Sequence, residues 1–172
     1  MPWYCATMSS IFLITLALAT LLCSLVAGFV FAFAAVVMPG LGRLADEEFL
    51  RGFQAIDRII QDNQPLFLLV WIGSVVALLA AAALGMRELD GTGRLLVSAA
   101  VLVYLFGVQL PTVAINVPLN NRVQTFQIAK MDRTALRAAR QEFESRWVFW
   151  NWTRTILANM VSILLIVLLL RL

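Results

Sequence analysis

The chain has 172 residues, a net charge of +3, 62% hydrophobic and only 13% charged residues, and a mean hydropathy of +0.89. A soluble globular fold is excluded at that composition, and the long apolar runs read as an all-α integral membrane protein whose helices satisfy their own backbone in hydrocarbon. No histidine occurs, which excludes a histidine-ligated haem, a copper site or a two-histidine iron centre within the chain. The small positive charge fits anionic headgroups, with no basic module for nucleic acid.

Four runs are long enough to cross about 30 Å of hydrocarbon, which takes about 20 residues. The first, about 11–38, carries no charge, follows no Lys or Arg, and is about twice the length of a signal-peptide core, so it reads as an uncleaved helix. Between it and the second run, residues 46–61 place Phe49, Phe53, Ile56 and Ile60 on one stripe and Arg51, Asp57 and Arg58 elsewhere, an amphipathic helix at the bilayer surface. The second run is 65–85, with Pro65 suited to a first helical position and Gly85 to the end. The third is 95–115, where Pro111 should kink the helix or mark its polar end. Residues 131–149 form a second surface helix, Leu136, Ala139, Phe143 and Trp147 on one face and Arg133, Arg137, Arg140 and Glu144 on the other, before the fourth run at 153–170.

The expected fold is a single domain over residues 1–172: a four-transmembrane-helix antiparallel bundle with two amphipathic interfacial helices on one side. Span, surface helix, span occurs twice, and Pro39 with Arg43 and Leu44 is echoed by Pro118 with Arg122 and Val123, which leaves an internal duplication open. Of the 13 basic residues, the termini and the 86–94 loop hold only Arg87, Arg94 and Arg171. The positive-inside rule therefore puts both long connections in the cytoplasm and both termini outside, in a bacterial-type inner membrane. Cys5 and Cys23 would lie about 27 Å apart along one helix, too far to pair.

Chemistry is confined to few groups. No span contains an acidic residue, which argues against a proton relay, and there is no Walker loop, Gly-x-Gly-x-x-Gly or Cys-x-x-Cys. With no histidine and two distant thiols, no metal site and no bound cofactor are expected. Trp147, Asn151 and Arg154 fall at i, i+4 and i+7 on one helical face, with Trp150 four before Arg154. Asn116 and Asn120 share helical spacing, but Pro118 between them reads as a turn. Consecutive spans pack as neighbours, so Arg154 should point inward and bond Asn116, Asn120 or a ligand, its stem beside Trp150, with Trp147 lining the cavity and Asp57 or Gln54 closing it. Plainer readings stand beside these: snorkelling to headgroups for Arg154, an interfacial belt for Phe149 and Trp152, and a surface ion pair with Arg51 or Arg58 for Asp57.

The segments AGFVFAFAAVVMPGL, FQAIDRIIQDNQPLF, NVPLNNRV and RWVFWNWTRT resemble the anthrone oxygenase-like family of four-span membrane proteins over nearly the whole chain. The sharpest pieces are Asn116 to Asn120 and the Trp147, Asn151, Arg154 pattern. The resemblance implies oxidation of anthrones to anthraquinones by O₂ without a cofactor. An anthrone enolises to an anion that reduces O₂ directly, so the protein need only bind a flat aromatic, remove a proton and hold the anion. On this reading Asp57, Asn116, Asn151 and Arg154 are catalytic and Gln54, Asn120, Trp147 and Trp150 bind substrate, a lipophilic aromatic or quinone-like molecule met at the cytoplasmic interface. Two other readings remain open: a quinone, lipid or pigment binder without turnover, and a structural subunit of a homo-oligomer or larger membrane complex, for which small-residue runs such as Ala80 to Ala83 offer packing faces.

Overall fold

The computed structural model describes residues 8–172, and Cys5 lies outside them. Five helices and a short 3₁₀ turn at Ile128–Lys130 make up the fold: α1 Ser10–Leu41, α2 Asp46–Gln61, α3 Pro65–Glu88, α4 Gly91–Gln124 and α5 Arg133–Leu170. All but α2 are long and apolar enough to span a membrane. Direction follows from their ends: Ser9, which caps α1, bonds Glu88 at the end of α3, and Arg171 beyond α5 reaches Asp90, which caps α4. Within each of these pairs the helices run in opposite directions.

All the helices but α2 start where the residue before them supplies a side-chain acceptor for orphan N–H groups. Asp90 accepts from Gly93 at 2.7 Å, Asp132 from Ala135 at 2.8 Å, and Gln64 from Phe67 ahead of Pro65. Asp46, Glu47 and Glu48 fill the first turn of α2, where carboxylates meet the positive end of the helix dipole.

Two expected boundaries are corrected. Residues 131–149 and 153–170 are one unbroken α5 of 38 residues, because neither Gly nor Pro occurs between Arg146 and Thr155 to stop the helix. Likewise Asn116 to Asn120 is no turn; α4 runs on to Gln124 through both Pro111 and Pro118. A proline lacks its N–H and presses on the carbonyl four residues back. At each of the three helix-internal prolines the preceding turn widens to π-helix, and the residue before the proline bonds five back: Met38 to Phe33, Leu110 to Leu105, Val117 to Thr112. The widened turn absorbs the clash without breaking the helix. The π segments Phe33–Val37 and Thr112–Asn116 precede Pro39 and Pro118 at equal distances, so the sequence echo has a conformational counterpart.

At a rise of 1.5 Å per residue α5 is about 57 Å long, nearly twice the hydrocarbon thickness, so α4 and α5 project together at one end. The membrane-embedded core holds Phe12, Leu16, Val26, Leu78, Val97 and Val161 with Tyr104, whose hydroxyl bonds Ser74 at 2.6 Å. Ala19, Ala27, Ala77 and Ala81 let α1 and α3 approach closely. Leu66, Leu69, Ile72 and Val76 are 58–67% exposed along the outer face of α3, as a lipid-facing stripe requires. A second core caps the projecting ends, where Phe49, Leu50 and Phe53 of α2 pack on Val123 of α4 and Leu136, Phe143 and Trp147 of α5. The two amphipathic segments are therefore one separate helix seated on the extensions of two spans. Arg140 fastens it, donating to Leu44 O at 2.8 Å, Gly42 O at 2.9 Å, Asp46 and Glu144, with its guanidinium over Phe49.

Candidate functional site

Where the two cores meet, a cavity of about 210 Å³ draws a wall from every helix. Phe29 and Phe33 come from α1; Phe53, Asp57 and Ile60 from α2; Phe67 and Trp71 from α3; Thr112, Asn116 and Asn120 from α4; Trp147, Asn151 and Arg154 from α5. The rings are mutually braced, Phe67 stacked on Trp71 at 5.3 Å and Phe53 edge-on to Trp147 at 5.6 Å. The cavity floor is thus largely aromatic, and its polar groups are few.

Arg154 is 5% exposed and points inward, as expected, but with different partners. Its Nη1 donates to Thr112 Oγ1 at 2.9 Å and its Nη2 to Asn151 Oδ1 at 2.8 Å; neither Asn116 nor Asn120 hydrogen-bonds it. The guanidinium lies 5.8 Å from the Trp147 ring, within cation–π range, and this ring takes the place expected for Trp150. Trp150 lies outside the cavity, edge-on to Phe149 at 5.6 Å. Asn151 in turn donates to Val30 O at 3.0 Å, tying the arginine to α1. The Arg154 Nε–H, buried, has no partner.

Asp57, 3% exposed, forms no surface ion pair. Arg51 pairs with Glu47 instead, and the Asp57 carboxylate accepts three amide N–H groups: Asn120 on Oδ1 at 2.8 Å, Gln124 on Oδ2 at 2.9 Å and Gln61 on Oδ2 at 3.2 Å. A carboxylate has about four lone-pair sites, so Oδ1 keeps one for a ligand. Asn120 is oriented from the other side by Trp147, whose Nε1 donates to its Oδ1 at 2.7 Å. That bond leaves the Asn120 amide only one way to face, N–H toward Asp57.

Asn116, 2% exposed, donates a long 3.3 Å bond to Trp147 O, and its Oδ1 has no partner. Gln54 is not part of the wall; it donates to Val123 O at 2.7 Å and Phe126 O at 3.2 Å, and so ties α2 to the end of α4. Sequence reasoning missed Thr112 and the Phe29, Phe33, Phe67 and Trp71 wall. Thr112 had a readable signal, lying four residues before Asn116 on the same helical face.

The cavity therefore holds a buried carboxylate and a buried guanidinium that do not pair with each other, an orphaned donor on Arg154 and an orphaned acceptor on Asn116. The groups left over are thus one N–H on Arg154 and one amide oxygen on Asn116, beside a carboxylate that three amides hold in place. No group of three His, Cys, Asp or Glu stands close enough to hold a metal among the described residues.

A family model described as anthrone oxygenase matches residues 59–164, more than half of the chain, from the end of α2 through most of α5. Thr112, Asn116, Asn120, Trp147, Asn151 and Arg154 fall within it, whereas Asp57 lies just before it. Comparison with curated proteins and with solved structures finds no match.

Proposed function

The chain belongs to the anthrone oxygenase family, and on that premise we propose that it oxidises a lipophilic, enolisable aromatic ketone with O₂ in the cavity beneath α2. The observation that carries this reading is the separation of Asp57 and Arg154, both buried in one cavity and neither neutralised by the other. Asp57 Oδ1 takes a proton from the methylene between the rings. Arg154, held by Thr112 and Asn151, meets the oxygen of the resulting enolate, where a fixed donor stabilises charge as it develops. Phe53, Trp71 and Trp147 supply flat surfaces for the rings.

The electron-rich anion passes an electron to O₂, and recombination forms a carbon–oxygen bond to a peroxide that Asp57 reprotonates. Removal of the second methylene proton expels hydroxide and leaves a ketone. One oxygen atom enters the product, the other leaves as water, and both methylene hydrogens are accounted for. The concentration of basic residues on the α2 side supports a site facing the cytoplasm.

Oxygen uptake by the purified protein in nanodiscs, with anthrone as substrate, tests the proposal against Asp57→Asn. A positioned general base contributes about 10²- to 10⁴-fold, so turnover should fall by that order while the helical signal persists. Unchanged uptake in the variant, or none in the wild type with any enolisable aromatic ketone, overturns it.

A further inference from the structure

A second space adjoins the inner cavity across its aromatic wall. Phe29, Phe33, Ile60 and Phe67 line it on one side and, on the other, an apolar groove of about 500 Å³ between α2 and the start of α3. Ala55, Ile56 and Ile59 complete the groove, and Ile59 is 59% exposed, so it opens to the outside of the bundle. Alone, the inner cavity of about 210 Å³ is below the roughly 300–1,000 Å³ of small-molecule sites, and the adjoining groove brings the pair into that range.

Polarity divides sharply along the shared wall. Asp57, Asn116, Asn120, Asn151 and Arg154 are all on the inner side, while the groove has no charged residue. Its one polar side chain, Gln64, spends its Oε1 on the Phe67 N–H at the start of α3. A ligand filling both spaces must therefore be polar at one end and wholly apolar at the other.

We infer that the substrate is a head-and-tail amphiphile, with a flat, oxygen-bearing aromatic head in the inner cavity and an aliphatic tail lying in the groove and leaving past Ile56 and Ile59. This rests on the reading of the inner cavity as the substrate site. The groove then selects for molecules already dissolved in the bilayer, since the tail reaches the outside of the bundle without crossing a polar surface.

The test uses two probes, a methyl hydroquinone and the same ring carrying a decyl chain, titrated by tryptophan fluorescence into nanodiscs of one lipid composition. Ala55→Trp fills the groove from an exposed position that does not line the inner cavity, and Ile59→Trp repeats the block one turn further along α2. Partitioning of the decyl probe into lipid is the same for every protein, so the ratio of the two affinities isolates the groove. Displacing two or three methylenes from it should cut the wild-type preference for the decyl probe by about tenfold or more, with methyl hydroquinone binding unchanged. An equal preference in wild type and both variants overturns the inference, the groove then holding bilayer lipid only; if methyl hydroquinone binding is still lost in Asp57→Asn, the inner-site reading survives that result. Methyl hydroquinone binding to none of the proteins removes the inner-site reading and this inference together.

Discussion

Replacing Arg154 with lysine keeps the charge and removes the fork. In the native site one N–H is spent on Thr112, one on Asn151, and the Nε–H faces no protein acceptor. A lysine ammonium is a single point at the end of a flexible stem, able to meet Thr112 Oγ1 or Asn151 Oδ1 but not to span both and still hold a ligand oxygen. One hydrogen bond from a charged group contributes about 1.5–3 kcal/mol. At about 1.4 kcal/mol per factor of ten, its loss in the transition state lowers kcat/KM by about ten- to hundredfold. The assay is oxygen uptake in nanodiscs across a substrate range, with thermal unfolding of the same preparations; the buried partner left unmet should cost about 1–3 kcal/mol of stability. Uptake in Arg154→Lys within about twofold of wild type would refute the reasoning, because an arginine that merely reaches headgroups is replaced by lysine at little cost.

Two further outcomes follow from the packing. Arg140→Gln loses the charged bonds to Asp46 and Glu144 and leaves Gly42 O and Leu44 O without their donor; amide exchange in residues 42–61 should quicken by an order of magnitude or more while the Ser74 and Tyr104 region keeps its protection. Gly107→Ala places a methyl 2.6 Å from Leu157 Cδ1 and 3.3 Å from Leu157 Cβ, costing about 1–3 kcal/mol by overpacking. Combined with Leu157→Ala it should destabilise less than the sum of the two single changes, and simple additivity in thermal unfolding would show that α4 and α5 are not in close contact there.

The amino-acid sequence by itself determined the number of spans, the position of α2 and the residues able to do chemistry. Those features depend on local quantities: apolar run length against hydrocarbon thickness, a 3.6-residue stripe of Phe49, Phe53 and Ile60, and the scarcity of polar side chains in an apolar chain. Asn116, Asn151 and Arg154 were legible as a cluster because each is a polar group that an apolar helix must bury with partners. What the sequence did not determine was how those groups pair. Thr112 rather than Asn116 receives Arg154, since that choice depends on the rotation of α4, which the π turns before Pro111 and Pro118 reset, and Trp147 rather than Trp150 lies beside Arg154 because of the face that α5 turns to the cavity. Continuity of α4 was hidden because a proline reads as a stop until the widened turn ahead of it is seen, and that of α5 because its amphipathic first half and apolar second half read as two elements although no Gly or Pro separates them. Tertiary structure alone set Asp57 among three amides from Asn120, Gln124 and Gln61, because contacts between residues 57 and 120 or 124 have no local periodicity to announce them. The seating of α2 across the projecting ends of α4 and α5 brings that carboxylate over the cavity that Arg154 enters from below.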